Sequence, residues 1–193
     1  MSFFPAYFSL KNKKILLVGG GFIALEKLEK LIDFTQDITI ITRETTNEFK
    51  NFAKSNSIPI LTKSYKKGDI EGYDIVIVAT DTVELHKEIY TESRNSRILV
   101  NSVDNTAYCD FIFPSYIKKG DLTISISTSG ASPAMAKRLR QYIEKTIPSN
   151  ISEFLQEMKG LRKTMPKGKE RMKFFEEKTE KFLKKHFKTI NNN

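Results

Sequence analysis

Three consecutive glycines open the chemistry of this chain. Gly19-Gly20-Gly21-Phe22-Ile23-Ala24 fits the pattern G-x-G-x-x-A, between an apolar run, "KILLVG", and a stretch in which Ala24, Leu28 and Leu31 recur at helical spacing. A strand-turn-helix of this kind has a specific physical use. Gly19 permits the tight turn, Gly21 lets a pyrophosphate approach the backbone, Ala24 lets helix pack closely on strand, and the helix N-terminus faces the negative charge. Phe22 and Ile23, which open the helix, are expected beside the same dinucleotide. The fingerprint also calls for an acidic residue about 20 positions on, to take the adenine ribose hydroxyls. The second apolar run ends Ile41-Thr42-Arg43-Glu44, which leaves three alternatives open. Glu44 meets the ribose from one step further along, Arg43 accepts a 2′-phosphate, or the two form a solvated pair at a strand end. The fingerprint alone does not separate NAD from NADP.

Elements must hold that turn in place. "KILLVG", "DITIIT", "IPILTK", "YDIVIVAT" and "RILVNS" read as strands, with segments of helical period between several of them, such as "TVELHKEIYTES" after the fourth. Strands that are apolar on both faces and alternate with helices predict a parallel sheet covered by helices, an α/β fold of Rossmann type. Near residue 111 the pattern changes. "FIFPSYIKKGDLTISIST" predicts two antiparallel strands with a turn around Lys119-Gly120-Asp121. Ser132 then caps a helix with Pro133 at its first position and an apolar stripe of Ala136, Leu139, Ile143 and Ile147, stopped by Pro148. Two further helices follow. Ile151, Phe154, Leu155, Met158, Leu161 and Met165 mark the first, Met172, Phe175, Thr179, Phe182, Phe187 and Ile190 the second, and "MPKGK" separates them. No internal repeat is present, and only the terminal "NNN" reads as disordered. The expected organisation is a Rossmann domain over 1–112, a small α+β segment over 113–148 and a helical C-terminal part over 149–193.

Composition narrows the classes. The chain has 193 residues, 39% of them hydrophobic, and no run approaches the roughly 18 apolar residues of a membrane span. The start, "MSFFPAYFSLKNKK", lacks the pattern of a secretory leader, so a cytoplasmic protein is expected. Cys109 is the single cysteine, and His86 and His186 are the only histidines, too few for a Cys/His metal cluster. His86 is expected on a solvated helix face, and His186 lies unassigned in the basic tail. The formal charge is +9, and residues 151–193 hold 12 Lys and Arg against 6 Glu, most of the excess. An anionic small molecule, nucleic acid and simple solubility all fit that charge. The tail has no zinc motif and its aromatics fall mainly on an apolar helical stripe, so packing accounts for it better than nucleic-acid binding.

Further along stand "VATDTVELHKEI" and "VNSVDNTAYCDFIFPSYIKKGDLTISISTSGASPAMAKRLRQYIEKTIP". With G-G-G-x-x-A-x-x-K before them, these blocks are similar to the precorrin-2 dehydrogenase family, which also forms the amino-terminal half of siroheme synthases. The resemblance covers about residues 1–150. It implies a homodimer in which a Rossmann domain carries NAD, a central segment builds the dimer and a helical tail helps close the tetrapyrrole site. It implies oxidation of precorrin-2 to sirohydrochlorin with hydride passed to NAD, and in some members insertion of ferrous iron. The methyltransferase domain of the fused enzymes is not expected within these 193 residues. Thr80 and Asp81 of the A-T-D block join the cofactor residues by the same resemblance, and Asn101 of V-N-S-V-D joins the substrate residues.

Asp104 matches the acidic residue to which the family assigns a role in both chemical steps, each of which needs a base near the macrocycle. The bland alternative is a turn residue, since "VDN" is good turn chemistry. Thr128, Ser129 and Gly130, ahead of a helix N-terminus, suit a carboxylate or simply cap the helix. Precorrin-2 is a polycarboxylate, so Arg138 and Arg140 are better partners for it than Lys118, Lys119 or Lys137, because a guanidinium binds two oxygens at once. A non-catalytic NAD-sensing module is the competing class. It explains the glycines but not the "VNSVD" and "SGASP" blocks.

Overall fold

The computed structural model describes residues 3–187; Ile190 and the terminal asparagines lie outside them. The chain divides into two compact units between Ile112 and Phe113.

The first unit is the predicted α/β sheet. Its strands are β1 (Ile15–Val18), β2 (Ile38–Thr42), β3 (Ile60–Thr62), β4 (Ile75–Val78) and β5 (Leu99–Ser102), and its helices α1 (Phe22–Ile32), α2 (Asn47–Ser55) and α3 (Val83–Ser93). All strand pairs are parallel, in the order β3-β2-β1-β4-β5. Every residue of β1 and β4 is buried. That explains their unbroken apolar runs, since a central strand covered on both faces has no polar side to show. Each such side chain contributes about 1.5–3 kcal/mol of burial. Leu16, Val18, Val76, Val78 and Val100 share a cluster with Ile89 of α3. Ala24, Leu25, Leu28 and Leu31 are the buried stripe of α1. Thr46 caps α2 by accepting from the Phe49 N–H at 3.1 Å. The connection from β3 to β4 carries turns and no helix.

On α3 one expectation fails. His86 is 4% exposed, not solvated. Its Nε2 lies 2.9 Å from the Thr80 carbonyl, which sits just past the end of β4 and has left the sheet ladder. A backbone carbonyl that has left the ladder needs another donor, and the imidazole supplies it.

The second unit pairs β6 (Ser115–Lys119) with β7 (Leu122–Ile126) antiparallel, turning at Gly120-Asp121 as expected, and adds α4 (Pro133–Thr146), α5 (Ile151–Thr164) and α6 (Lys169–His186). Ile117, Ile147, Ile151 and Phe182 form its core, with Ile124, Ile143 and Phe154 against it. The Phe154 and Phe182 rings stack at 4.1 Å. Two stripe residues are placed differently from the prediction. Leu139 is 41% exposed and Met172 72%. Leu139 instead joins Met135 and Tyr142 in a second, exposed apolar row at helical spacing.

Candidate functional site

The sheet order reverses between β1 and β4, and an open α/β sheet binds ligands at that switch point, beyond the carboxyl ends of its strands. The three glycines lie there, and each has a different constraint. Gly19 has φ +131°, and a Cβ on it would collide with the Ala79 carbonyl, 2.8 Å from its carbon. The Gly19 N–H donates to Ile41 O at 2.9 Å and the Ala79 N–H to Val18 O at 2.8 Å, so the turn is pressed between β2 and β4. A Cβ on Gly20 would collide with the Glu44 carbonyl and lie 2.7 Å from Thr42 Oγ1. Gly21 is the opposite case. It is the N-cap of α1 in extended backbone, with no side-chain cap, and a Cβ there meets nothing within 4 Å. The first-turn amides of α1 are thus left for another acceptor, and an anion suits them.

A cleft of roughly 810 Å³ opens above this turn, within the size range of small-molecule sites. It brings together all the residues predicted to hold the dinucleotide. Gly19, Gly21, Phe22 and Ile23 come from the turn and α1, Arg43 and Glu44 from the end of β2, and Thr80 and Asp81 from the end of β4. Thr42 Oγ1 donates to the Glu44 carbonyl at 2.6 Å and fixes the course of the chain past β2. Two contributions were not foreseen. Gly20 is required by its neighbours, and Lys63, Ser64 and Tyr65 line the cleft from beyond β3. Their position directly after the third strand was the available signal. The Tyr65 hydroxyl donates to Glu92 at 2.7 Å, and burial followed by that bond to Glu92 pushes its pKa well up, so it stays a neutral donor. An uncapped helix N-terminus, a glycine open toward the space and polar groups from three strand ends fit a dinucleotide.

Asp104 and Asn101 do not line this cleft. Asp104 is exposed on the turn that follows β5, in the left-handed region at φ 61°. The turn is fixed on both sides. The Val103 N–H donates to Val78 O at 2.9 Å and the Asn105 N–H to Ser102 O at 3.2 Å. Beneath it the Cys109 thiol donates to Ser102 O and accepts from the Ser102 N–H. Burial pushes that thiol's pKa up, and its two bonds to Ser102 make Cys109 a clasp beneath the turn. The Lys27 side chain, 13% exposed, interacts electrostatically with Asp104. Burial, then repulsion by Lys30, lowers the Lys27 pKa, while Glu26 and Asp104 act to raise it. Asn101 is 4% exposed and its amide donates to the Phe111 carbonyl at 2.8 Å, so its side chain is turned into the protein.

In the second unit the loop before α4 is internally bonded. The Ser129 N–H donates to Ser127 Oγ at 3.0 Å, the Ser132 N–H to Thr128 Oγ1 at 3.1 Å, and Ser132 Oγ caps the helix at Met135 N. The well-capped helix is therefore present, with Ser129 and Gly130 exposed at its tip. Arg138 is exposed and donates to Gln141 at 3.3 Å, while Arg140 pairs with Glu144 one turn on. Among the described residues, no group of three or more His, Cys, Asp or Glu could hold a metal ion, and no helix is long and apolar enough to cross a membrane.

Comparison with known proteins agrees with this geometry. An NAD(P)-binding family model, NAD_binding_7, matches residues 6–115, and the model of the sirohaem biosynthesis protein central region matches residues 119–146. The siroheme synthase of Pseudoalteromonas translucida is 31% identical over 175 residues, 91% of this chain and 36% of the relative. That of Methylococcus capsulatus is 33% identical over 180 residues, 91% of this chain and 38% of the relative. The chain thus spans little more than a third of the length of these relatives. Among solved structures, SirC, a precorrin-2 dehydrogenase, superposes with a TM-score of 0.78 over 97% of this chain and 93% of its own at 22% identity, a likeness of fold. Since the NAD(P)-binding model spans more than half of the residues and the siroheme-biosynthesis model follows it in order, the chain belongs to the NAD(P)-binding family that the siroheme synthases share.

Proposed function

We propose that this protein oxidises precorrin-2 to sirohydrochlorin, using NAD bound in the cleft of its first unit. The observation that carries the cofactor half is Gly21, the uncapped N-terminus of α1 with open space before it at the switch point of the sheet. The substrate half is supported by what the relatives are named for, siroheme synthesis and precorrin-2 dehydrogenation, and by the +9 charge against a polycarboxylate. NAD is proposed over NADP, with Glu44 taking the ribose hydroxyls.

A bound nicotinamide supplies the hydride acceptor. The chain's own residues supply position and proton handling. The α1 amides and the glycine turn hold the pyrophosphate, and the residues beyond β2 and β4 fix the two ends of the dinucleotide. Asp104 presents its carboxylate outward on a turn locked by Val103, Asn105 and Cys109, and takes the proton lost from the macrocycle or steers the ring. Ser129, Gly130 and Arg138 are offered to substrate carboxylates, and Arg140 joins them by exchanging its Glu144 partner. Exposed Met135, Leu139 and Tyr142 on α4 are proposed to be covered by a second copy of the chain, giving a homodimer. The test is anaerobic incubation of the pure protein with precorrin-2 and NAD. The sirohydrochlorin absorption spectrum is expected to appear, and absence of oxidation by a protein that binds NAD would favour a sensing module. Ferrous iron is the proposed second substrate, with the macrocycle's own nitrogens as its ligands. Siroheme formation on adding iron to the same sample tests that step.

A further inference from the structure

His86 is the one buried titratable side chain of α3, and nothing in the proposed chemistry uses it. Its geometry is specific. A carbonyl oxygen only accepts, so the 2.9 Å contact with Thr80 O fixes the proton on Nε2. Nδ1 then has no partner among the described residues, and the ring's hydrogen bonding within them is spent on Thr80. That carbonyl belongs to the segment with which the chain leaves β4. Ladder bonding ends with Ala79 N on Val18 O and Val103 N on Val78 O, and α3 first bonds back on itself with Leu85 N on Thr82 O. Between those points Thr80, Asp81 and Thr82 line the cleft. Thr82, the N-cap of α3, makes no side-chain cap bond, so the segment is not fixed in that way from its helical end.

We infer that His86 is a positioning residue of the dinucleotide cleft: from inside the α3 face it holds the Thr80 carbonyl and thereby fixes the Thr80-Asp81-Thr82 segment in the shape the ligand meets. This rests on the dinucleotide reading of the cleft. An imidazole suits the task, since it is rigid, reaches the carbonyl from one turn into the helix and places a single donor there.

Two substitutions isolate the bond. His86→Phe keeps a buried ring and removes the donor, and His86→Gln keeps an N–H at nearly the distance of Nε2. Titration of NADH by fluorescence is expected to give a dissociation constant about tenfold higher for His86→Phe, the usual worth of one buried hydrogen bond. His86→Gln is expected to recover to within about threefold of wild type. A residue that only stabilises the fold would lower the melting temperature of both variants and leave the affinity, measured well below melting, unchanged. Affinity within about twofold of wild type in folded His86→Phe overturns the inference while leaving dinucleotide binding intact. Failure of the wild-type protein to bind NADH overturns both. The wild-type tautomer gives an independent check that needs no variant. ¹⁵N NMR is expected to show His86 protonated on Nε2, with that proton exchanging more slowly when NADH is added. A proton on Nδ1 with none on Nε2, or exchange unaffected by NADH, overturns the inference.

Discussion

Gly21 and Gly19 are two residues apart in the same turn, yet their substitution is expected to fail in opposite ways. A side chain on Gly21 starts from ordinary extended backbone, φ −90° and ψ −168°, and its Cβ meets nothing within 4 Å. Gly21→Val should therefore change the stability of the ligand-free protein by no more than about 1 kcal/mol, as for a substitution away from any packed group. The same side chain occupies the space above the α1 amides. If a pyrophosphate lies there, the affinity for NADH falls by at least about 100-fold, or about 2.7 kcal/mol. Gly19→Ala reverses the pattern. Its φ of +131° costs an alanine about 1–3 kcal/mol. Forcing a methyl group into the Ala79 carbonyl adds about 1–3 kcal/mol. The loss of about 2–6 kcal/mol is a large share of the roughly 5–15 kcal/mol that a domain has. Thermal unfolding followed by circular dichroism, with NADH titration by fluorescence, separates the two quantities. Unaltered NADH affinity in a folded Gly21→Val protein would refute the placement of the pyrophosphate. Instability of that variant without ligand would refute the open-space argument.

Asp104→Asn retains a residue that tolerates the left-handed turn and lies outside the cleft, so NADH affinity is expected to hold while sirohydrochlorin formation falls about 10²–10⁴-fold; near-normal turnover would make Asp104 a turn residue. Arg43→Ala is expected to leave NAD affinity within about threefold of wild type, and a wild-type preference for NADP that this change removes would show that Arg43 reads a 2′-phosphate. Asp110 accepts from both terminal nitrogens of Arg94 and from the Val100 N–H, tying β5 to α3, so Asp110→Asn should destabilise by about 1.5–3 kcal/mol at pH 7 in chemical denaturation. Burial pushes the Asp110 carboxyl up, but the Arg94 bond, the Val100 bond and the Arg94 charge outweigh it and hold the pKa below the usual range. Its contribution is thus complete above about pH 4 and lost as pH falls through the lower folded value, so the gap between wild type and Asp110→Asn should narrow in that acid window; a gap constant with pH would contradict this.

Much of this fold was legible because the strongest signals are local. Five apolar runs became five parallel strands, and the glycine spacing placed the turn where ligands bind such a sheet. Misplaced residues share a cause. Leu139 and Met172 have the right period, but period defines a stripe without saying which edge of it meets the core, and the hairpin and the neighbouring helices decide that. His86 looked polar enough for solvent because its partner, an unpaired carbonyl past β4, exists only once the strand has ended. Gly20 had no stated role, since the Glu44 carbonyl that forbids a Cβ there comes from the next strand's loop. The Arg94–Asp110 pair spans 16 positions and carries no motif. Asp104 was singled out by resemblance alone, and the structure adds what holds its turn in the left-handed conformation.

The proposed oxidation passes a hydride from precorrin-2 to the dinucleotide, and isotopic labelling follows that hydride. Precorrin-2 fully deuterated at the bridging carbon that loses hydride is incubated anaerobically with the protein and NAD, and the recovered coenzyme is analysed by mass spectrometry. One deuterium on the reduced nicotinamide for each sirohydrochlorin formed is the predicted result. Sirohydrochlorin that forms while NAD stays oxidised, or reduced coenzyme without the label, would contradict it.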